Sequence, residues 1–273
     1  MKNAMSVDLE DWFCVSNFND RIPREQWDRC ELRVERSTTK LLDLLDAGNA
    51  KATFFVLGWI AERVPALVRE IERRGHEIAI HGYHHLQITK ISREEFANDL
   101  EKAIEAVRKT GIQQIPKGFR APSFSITEQT QWAYDILEQK GFQYDSSVFP
   151  VKFHPDYGIP DAPLAPYRAT RSVIEIPLSC ISILGQRLPC CGGAYFRFAP
   201  YYYTKQAIRR CQAEGRPVIF YIHPWEFDPG QPRVQLPYSK RLRHYFGIAQ
   251  TEKKFKRLLS DFQFTSIKEM LAV

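Results

Sequence analysis

Two kinds of apolar pattern alternate along the first 150 residues of the chain. Continuous apolar runs, such as KATFFVLG at 51–58 and HEIAIHG at 76–82, are typical of strands that are buried on both faces. Between such runs lie amphipathic segments such as STTKLLDLLDAG at 37–48, for which Ser37 is the expected N-cap and a glycine the expected stop. This alternation predicts a parallel α/β architecture, either a barrel or a doubly wound sheet.

The other predicted elements of this half follow the same rhythm. The further strands are NAMSVDLE at 3–10, PKGFRAP at 116–122 and FQYDSS at 142–147, and the further helices cover 62–75, 92–111 and 128–141. The pattern changes near residue 150, where a proline-rich stretch is followed by the predicted strands SVIEIPLS, GGAYFRF and RPVIFYIHPWEF and by helices over roughly 200–214 and 251–260. We therefore predict one barrel-like domain over 1–273 with an elaborated C-terminal half, about 150–273, rather than two separable domains.

The composition is that of a globular protein and excludes several other classes. Apolar residues make up 44% and charged residues 26% of the 273 positions, which argues against disorder and coiled coil. No window reaches the ~18 consecutive apolar residues of a membrane helix, and MKNAMSVDLEDWF at the start lacks the features of a signal peptide. A cytoplasmic location is expected, with the six cysteines reduced and mainly packing.

The formal net charge of +6 is spread along the chain. The densest basic run, YSKRLRHYF at 238–246, mixes in aromatic residues and could contact a polyanion, but a solvated loop is its expected structure. No nucleic-acid-binding signature is present, so no nucleic-acid partner is predicted. The sequence gives no indication of the oligomeric state.

Charged and histidine side chains follow the predicted strands. They are Asp8, Glu10 and Asp11 after the first strand, His81 and His85 after the third, Arg120 after the fourth, Asp145 after the fifth, and His223 and Glu226 after a late strand. Burying such groups unpaired is costly, and the carboxyl ends of parallel strands are where these folds bind ligands. We therefore expect these side chains to converge on one site.

The histidines His81 and His85 of HGYHH are typical of a metal site. Two histidines and one carboxylate leave an open coordination position on zinc, as catalytic sites do. Water bound there attacks a carbonyl, while a second carboxylate acts as general base and another histidine as general acid. We expect one divalent ion and zinc as that ion, although the same ligands accept cobalt, nickel or iron.

Five segments resemble the motifs of a known family. SVDLEDW, HGYHH, FRAPSF, YDSS and FYIHPWE are similar, in the same order, to the five motifs of the NodB-type polysaccharide deacetylases, carbohydrate esterase family four. The resemblance covers about 3–150 and the segment around 223. GGAYFRFAP and HPWEFDPGQPR further resemble the C-terminal region of exopolysaccharide-locus, exosortase-associated deacetylases.

This resemblance implies a distorted (β/α) barrel and a metal-dependent hydrolase of linear amide C–N bonds. Its substrate would be a polysaccharide or glycan precursor bearing N-acetylhexosamine, and the metal-bound water would be the nucleophile. The implied roles are metal ligands for His81 and His85, general base for Asp8, general acid for His223, positioning of the base for Arg120, and tuning of the catalytic histidine for Asp145. The expected absence of an export signal suggests work on a lipid-linked or nascent glycan, with peripheral membrane contact.

The first motif departs from the family pattern of two adjacent aspartates, since the chain has Asp8-Leu9-Glu10-Asp11. If Asp8 is the base, the ligand is Glu10, on the same strand face, or Asp11, which is chemically closer to the usual aspartate. Another register makes Glu10 the base and Asp11 the ligand. Ser123 and Pro224 also depart from the family motifs, at the end that faces the substrate.

Other residues keep two interpretations. Trp225, Tyr195 and Phe124 either stack on sugar rings or pack in the core. The pair Gly192–Gly193 is expected to allow a close backbone approach or to supply an oxyanion donor. The remaining histidines, expected in surface, supporting or structural positions, are His76, His84, His154 and His244.

Two other functions remain as alternatives. The first is a metal-free amidohydrolase of small ureide-like amides, because some relatives with this barrel lack the metal site. The second is a non-catalytic glycan-binding protein on the same scaffold. The presence of Asp8, His81, His85 and His223 argues against both.

Overall fold

The computed structural model describes residues 2–152 and 158–272. His154 lies outside these residues. The strands are β1 (Asn3–Leu9), β2 (Thr53–Val56), β3 (Glu77–Ile80), β4 (Gly118–Phe119), β5 (Tyr144–Asp145), β6 (Tyr167–Arg168), β7 (Ile174–Glu175), β8 (Cys180–Ile183), β9 (Gln186–Pro189), β10 (Ile219–Ile222) and β11 (Phe264–Thr265). The helices are α1 (Val34–Ala47), α2 (Gly58–Arg63), α3 (Pro65–Arg73), α4 (Arg93–Lys109), α5 (Ala133–Gln139), α6 (Gly193–Phe198), α7 (Tyr201–Ala213), α8 (Tyr238–Tyr245), α9 (Ile248–Asp261) and α10 (Ile267–Leu271). Short 3-10 helices cover Ser16–Phe18, Arg24–Arg29, Ile88–Lys90, Pro122–Phe124, Glu128–Thr130 and Pro224–Phe227.

The main sheet has the strand order β10-β1-β2-β3-β4-β5-β7-β6, and β11 also pairs with β1. Its ladders are parallel except for the antiparallel pair β6 and β7. No ladder among the described strands joins β10 to β6, so the twisted sheet curls into a half-barrel that stays open. The predicted α/β fold of the NodB type is confirmed, with an incomplete barrel.

The strand register brings the ends of four strands into one row. Leu9 pairs with Val56, Val56 with Ile80, and Ile80 with Phe119. The residues that follow Leu9, Ile80 and Phe119 are Glu10, His81 and Arg120, which are all polar. The register places these three residues at the same edge of the sheet, called the polar edge below. Because side chains alternate between faces, they point away from the face that carries Leu9 and Phe119.

Apolar clusters cover both faces of the sheet. The larger cluster contains Leu9 and Phe119 with helix residues such as Leu41 and Leu100, and a smaller one contains Phe55 and neighbouring inner-face residues. Each fully buried side chain of this size contributes about 1.5–3 kcal/mol to stability. The two clusters make the sheet a rigid base for the polar edge.

Helix α1 begins at Val34, so the prediction of Ser37 as its N-cap is wrong. The Asp11 carboxylate instead accepts hydrogen bonds from the backbone N–H groups of Arg33, at 2.7 Å, and Val34, at 2.8 Å. Asp11, which is distant in the sequence, thus accepts from helix amides that a neighbouring side chain would otherwise cap. No pattern within the helix sequence predicts this contact.

The segment GGAYFRF forms helix α6 and not the predicted strand. Gly192 and Gly193 have positive φ values of 117° and 49°, a conformation that glycine adopts readily. A Cβ on Gly192 would lie 2.1 Å from the carbonyl oxygen of Tyr221. The expected close backbone approach at this pair is therefore present, and it turns the chain into the helix.

The basic run at 238–246 contains helix α8, so the expectation of a solvated loop is wrong. The helix has one buried side chain, His244, which stacks on Trp225 with ring centres 4.4 Å apart. Among the described helices, none combines the length and apolarity needed to cross a bilayer.

Candidate functional site

Asp8 and Arg120 form a buried ion pair at the polar edge. Arg120 Nη1 donates to Asp8 Oδ1 at 2.7 Å, and the two side chains are 0% and 3% exposed. Arg120 also donates to Ser6 Oγ, at 2.9 Å, and to the carbonyl and hydroxyl oxygens of Ser146, at 2.9 and 3.0 Å. The structure thus brings together the predicted base and the arginine predicted to hold it.

The surroundings of Asp8 keep its carboxylate ionised. Burial raises the pKa of Asp8, but the charges of Arg120, His81 and His223 and the hydrogen bond from Arg120 outweigh burial and lower the pKa below its ordinary value. An ionised carboxylate can accept a proton from an attacking nucleophile.

Glu10, His81 and His85 form a group that could hold a metal ion. One potential ligand atom from each lies within 4.8 Å of the others, and all three residues are buried. His85 Nε2 is 3.1 Å from Glu10 Oε2. His81 Nδ1 lies 2.8 Å from the carbonyl oxygen of Arg120, which only accepts, so Nδ1 carries the proton and Nε2 presents its lone pair.

The donor set suits a divalent cation. Burial lowers the pKa of His81 and His85, which keeps both imidazoles neutral and able to ligate. Burial and the Asp8 charge, partly opposed by His223, raise the pKa of Glu10 to about 7. Among the described atoms, buried His85 Nδ1 has no hydrogen-bond partner, and neither has Glu10 Oε2, because its 3.1 Å contact with His85 Nε2 lacks the alignment of a hydrogen bond. A cation bound between these residues would stabilise the Glu10 carboxylate.

The HGYHH loop is held in place from outside the cluster. His85 has a left-handed φ of 55°, an uncommon conformation for a residue other than glycine. The Asp99 carboxylate accepts from the backbone N–H groups of Tyr83, at 2.7 Å, and His84, at 3.1 Å. Arg24 donates to the carbonyl oxygens of His84, at 2.6 Å, and His85, at 3.1 Å. These contacts hold the loop that carries His81 and His85.

Of the two carboxylates expected as the third ligand, the structure brings Glu10 to the histidines and turns Asp11 away. Both Asp11 oxygens are bonded to backbone amides, through Oδ1 to Trp12 at 2.7 Å and through Oδ2 to Arg33 and Val34. Successive side chains on a strand end point to opposite sides, so Asp11 faces the helix layer. Asp11 therefore lies outside the Glu10, His81 and His85 group, and its role as a metal ligand stays a prediction that this geometry does not favour.

His223 lies next to both Glu10 and Asp8. Its Nε2 is 3.3 Å from Glu10 Oε1 and 3.8 Å from Asp8 Oδ2, and its Nδ1 is 3.0 Å from Glu226 Oε2. Burial lowers the pKa of His223, but the hydrogen bond and charge of Glu226, with the charges of Glu10 and Asp8, raise it to about 9. The imidazole is therefore protonated near neutral pH.

Glu226 is itself fixed by a buried arginine. Arg197 Nε donates to Glu226 Oε1 at 2.5 Å, and Arg197 Nη1 donates to the carbonyl oxygens of His244 and Phe246, both at 2.7 Å. The sequence reasoning noted Glu226 after a strand but gave it no role. The three-residue spacing of His223 and Glu226, at the start of the short 3-10 helix Pro224–Phe227, was the signal that could have found it.

The structure does not bring Asp145 to His223, and its tuning role stays a prediction that no contact in the described structure supports. Asp145 pairs in register with Phe119 and shares its helix-facing side of the sheet, while β5 is five positions from β10 in the strand order. Ser147 donates to the Asp145 carboxylate through Oγ, at 2.7 Å, and N, at 3.1 Å. Ser147 Oγ in turn accepts from Ala121 N at 2.7 Å. Asp145 therefore orders the backbone beside Arg120.

A cavity of about 620 Å³ opens above these groups. Asp8, Glu10, His81, His85 and His223 line it together with aromatic residues that include Phe124, Tyr195, Phe198, Tyr221 and Trp225. Trp225 stacks between His223 and His244, with ring centres 5.1 and 4.4 Å away. Phe124, Tyr195 and Trp225 thus line the cavity and also pack against core residues.

Both halves of the chain are similar to known protein families. Residues 20–144 match the polysaccharide deacetylase family, and residues 146–272 match a domain of unknown function (DUF3473). A peptidoglycan-N-acetylglucosamine deacetylase from Bacillus cereus is 36% identical over 121 residues, which cover 40% of this chain and 44% of that protein. The chain thus spans less than half the length of this curated relative.

Two solved structures have a similar fold. One is a Mycobacterium smegmatis protein assigned as a polysaccharide deacetylase, with a TM-score of 0.60, 22% identity and coverage of 99% of this chain and 90% of that one. The other is the peptidoglycan N-acetylglucosamine deacetylase Bc1960, with a TM-score of 0.53, 18% identity and coverage of 98% and 87%. The fold of this chain is therefore similar to that of solved polysaccharide deacetylases, and residues 20–144 are similar in sequence to that family.

The site is assembled from separate parts of the chain. Asp8 and Glu10 precede the segment that matches the deacetylase family, His81 and His85 lie within it, and His223 lies in the segment that matches the domain of unknown function. Strand β10 pairs with β1 and thereby places His223 beside Asp8. The C-terminal half thus supplies one wall of the site.

Proposed function

We propose that this protein is a metal-dependent glycan N-deacetylase, which hydrolyses the linear amide bond of an N-acetylhexosamine. One observation carries the proposal: the Glu10, His81 and His85 group lies beside both the Asp8–Arg120 pair and His223. A proposed general base and a proposed general acid thus both lie next to a group able to hold a metal. The names of the relatives support a glycan substrate.

Glu10, His81 and His85 would hold the ion, and zinc is the ion we propose. When bound, such an ion polarises the amide carbonyl oxygen and lowers the pKa of a water ligand. The neutral imidazoles and the single carboxylate described above are the ligand types that open zinc sites use.

The other residues manage protons and orientation. Asp8, oriented by Arg120, accepts the proton of the attacking water, and a C–O bond forms at the amide carbon. His223 donates a proton to the amide nitrogen as the C–N bond breaks. The products are acetate and a free amine on the sugar. Glu226 orients the His223 ring and stabilises its positive charge.

The cavity suits a sugar ring and its neighbours. Its volume of about 620 Å³ lies within the roughly 300–1,000 Å³ range of ligand sites. The aromatic walls offer faces on which a pyranose ring can pack. We propose a polysaccharide or glycan precursor of exopolysaccharide biosynthesis as the substrate, at or near a membrane that carries lipid-linked glycan. The cytoplasmic location stays a prediction, which cell fractionation tests.

Metal content and acetate release, measured on the same samples with chitotetraose, test this function. We expect about one metal ion per native chain and release of acetate, and neither in a His81→Ala/His85→Ala variant. His84→Ala is the matched control, because His84 lies in the same loop but outside the cluster. Native protein that binds no metal under any loading condition would refute the proposal, and metal without acetate release would refute chitotetraose as a substrate.

A further inference from the structure

Helix α8 contributes to two neighbouring cavities. Arg243 and His244 line the reaction cavity, while Tyr238, Arg241 and Tyr245 line a second cavity of about 300 Å³. Leu242 lines both. The second cavity is therefore next to the site where the proposed reaction takes place, with a single side chain in common.

The second cavity is basic and aromatic. The guanidinium of Arg233 lies 4.3 Å from the ring centre of Tyr245, and that of Arg241 lies 5.6 Å from the ring centre of Tyr238. Within residues 2–152 and 158–272, neither arginine forms a salt bridge with a carboxylate. Nearby Lys240 differs, since Asp20 neutralises it at 2.7 Å. The cavity thus presents two positive charges that no acid in the described structure compensates.

These groups have the chemistry of a site for an acidic sugar. Guanidinium groups bind carboxylates and phosphates through paired hydrogen bonds, and exposed tyrosine rings such as Tyr238, 70% exposed, pack against sugar faces. The arginines stacked on rings lose little freedom when they bind, because their planar groups are already supported. A neutral glycan would leave both charges without a counter-ion.

We propose that this second cavity is a subsite for an oxyanion-bearing residue, a carboxylate or a phosphate, of the same glycan that enters the reaction cavity. The proposal rests on the proposed function in one respect: it assumes that the oxyanion-bearing sugar and the N-acetylhexosamine in the reaction cavity belong to one glycan. The concave shape and the shared Leu242 favour a glycan over a membrane surface, because a continuous chain can occupy both cavities at once.

Equilibrium binding tests this subsite without turnover. Dissociation constants are measured by calorimetry in an Asp8→Asn background for three probes: neutral chitotetraose, a hyaluronan tetrasaccharide with carboxylates, and N-acetylglucosamine 1-phosphate. We expect tighter binding of at least one anionic probe than of chitotetraose. An Arg233→Ala/Arg241→Ala change should weaken the anionic probe about tenfold and leave chitotetraose unchanged. The preferred anionic probe identifies carboxylate or phosphate as the recognised group.

Two further variants complete the test. Arg233→Lys/Arg241→Lys should retain part of the preference, since it keeps the charge and loses the paired geometry. Arg29→Ala/Arg108→Ala removes the same charge from exposed positions that line neither cavity, and it should change no dissociation constant. An equal loss in this control would refute a local subsite, as would unchanged binding in Arg233→Ala/Arg241→Ala.

The proposal and the proposed function fail separately. Arginine-dependent preference for an anionic probe, combined with no acetate release by the native protein from any glycan, would refute the deacetylase function and support the subsite. Acetate release with equal affinity for neutral and anionic probes would refute the subsite alone. Binding to phosphatidylglycerol vesicles that depends on Arg233 and Arg241, without preference among the soluble probes, would assign the surface to a membrane and overturn the proposal.

Discussion

Glu226 Oε2 lies 3.0 Å from Nδ1 of His223, three residues earlier in the chain, and both side chains are at least four-fifths buried. The same Glu226 oxygen accepts from the His223 backbone N–H at 3.0 Å. Arg197 holds the second oxygen. One short turn therefore contains the proposed general acid and the carboxylate that orients it, so the ring is fixed by its own segment.

Glu226→Gln should lower kcat for acetate release roughly 10–100-fold, because the amide removes the negative charge that supports a protonated ring. KM and metal content should stay near the native values, since Glu226 is not among the metal-binding group. Steady-state kinetics and elemental analysis check this. Glu214→Gln, which changes an exposed acid on a surface ion pair, is the control. A native kcat in Glu226→Gln would show that the carboxylate has no part in the reaction.

Asp145→Asn should lower the free energy of unfolding by about 1–3 kcal/mol, because it disturbs buried hydrogen bonds to Ser147. The change should affect activity only indirectly, because Asp145 orders the backbone beside Arg120. The loss in kcat should therefore be smaller than that of Glu226→Gln. Urea unfolding followed by circular dichroism gives the first quantity. Native stability combined with a large loss of kcat would instead support the tuning role that the family resemblance implied.

Asp11→Ala should destabilise the protein by about 1–2 kcal/mol, because it removes a helix cap and leaves buried amides without an acceptor. Its metal content should stay native, whereas Glu10→Ala should bind less metal. Elemental analysis after dialysis, beside urea unfolding, compares the two variants. Reduced metal content in Asp11→Ala, with the free energy of unfolding unchanged, would indicate that Asp11 is a metal ligand.

His76 should make stability depend on pH between about 6.5 and 4. Its Nδ1 accepts from Ala52 N at 3.2 Å, and burial, together with the charge of Lys51, lowers the pKa of His76 to about 4. The unfolded chain, with a histidine pKa near 6.5, binds a proton in this window that the folded chain does not. His76 therefore stabilises fully above pH 6.5, and this contribution is lost as the pH falls toward 4, at up to about 1.4 kcal/mol per pH unit.

A comparison of the native protein with His76→Gln checks this. Urea unfolding at pH 7, 6, 5 and 4 should show a smaller fall in stability for the variant. Because the other buried acids titrate in both proteins, the difference between the two curves isolates His76. Parallel curves would mean that the pKa of His76 is the same in the folded and the unfolded chain.

The sequence alone determined the fold class and most of the site. Long apolar runs alternating with amphipathic segments predict a parallel sheet, and in such a sheet the polar residues after each strand meet at one edge. Asp8, Arg120, His81, His85 and His223 were all identified in this way, and the structure brings them together. These positions follow from local pattern, because strand period and strand direction are local properties.

Tertiary structure decided what depends on register and on contacts between distant segments. Glu10 rather than Asp11 joins the histidines because α1 occupies the Asp11 carboxylate. Asp145 faces the helix layer because it pairs with Phe119, and Glu226 rather than Asp145 contacts His223. A shift of one residue exchanges the two faces of a strand, so no pattern within one segment determines which side chains meet across the sheet.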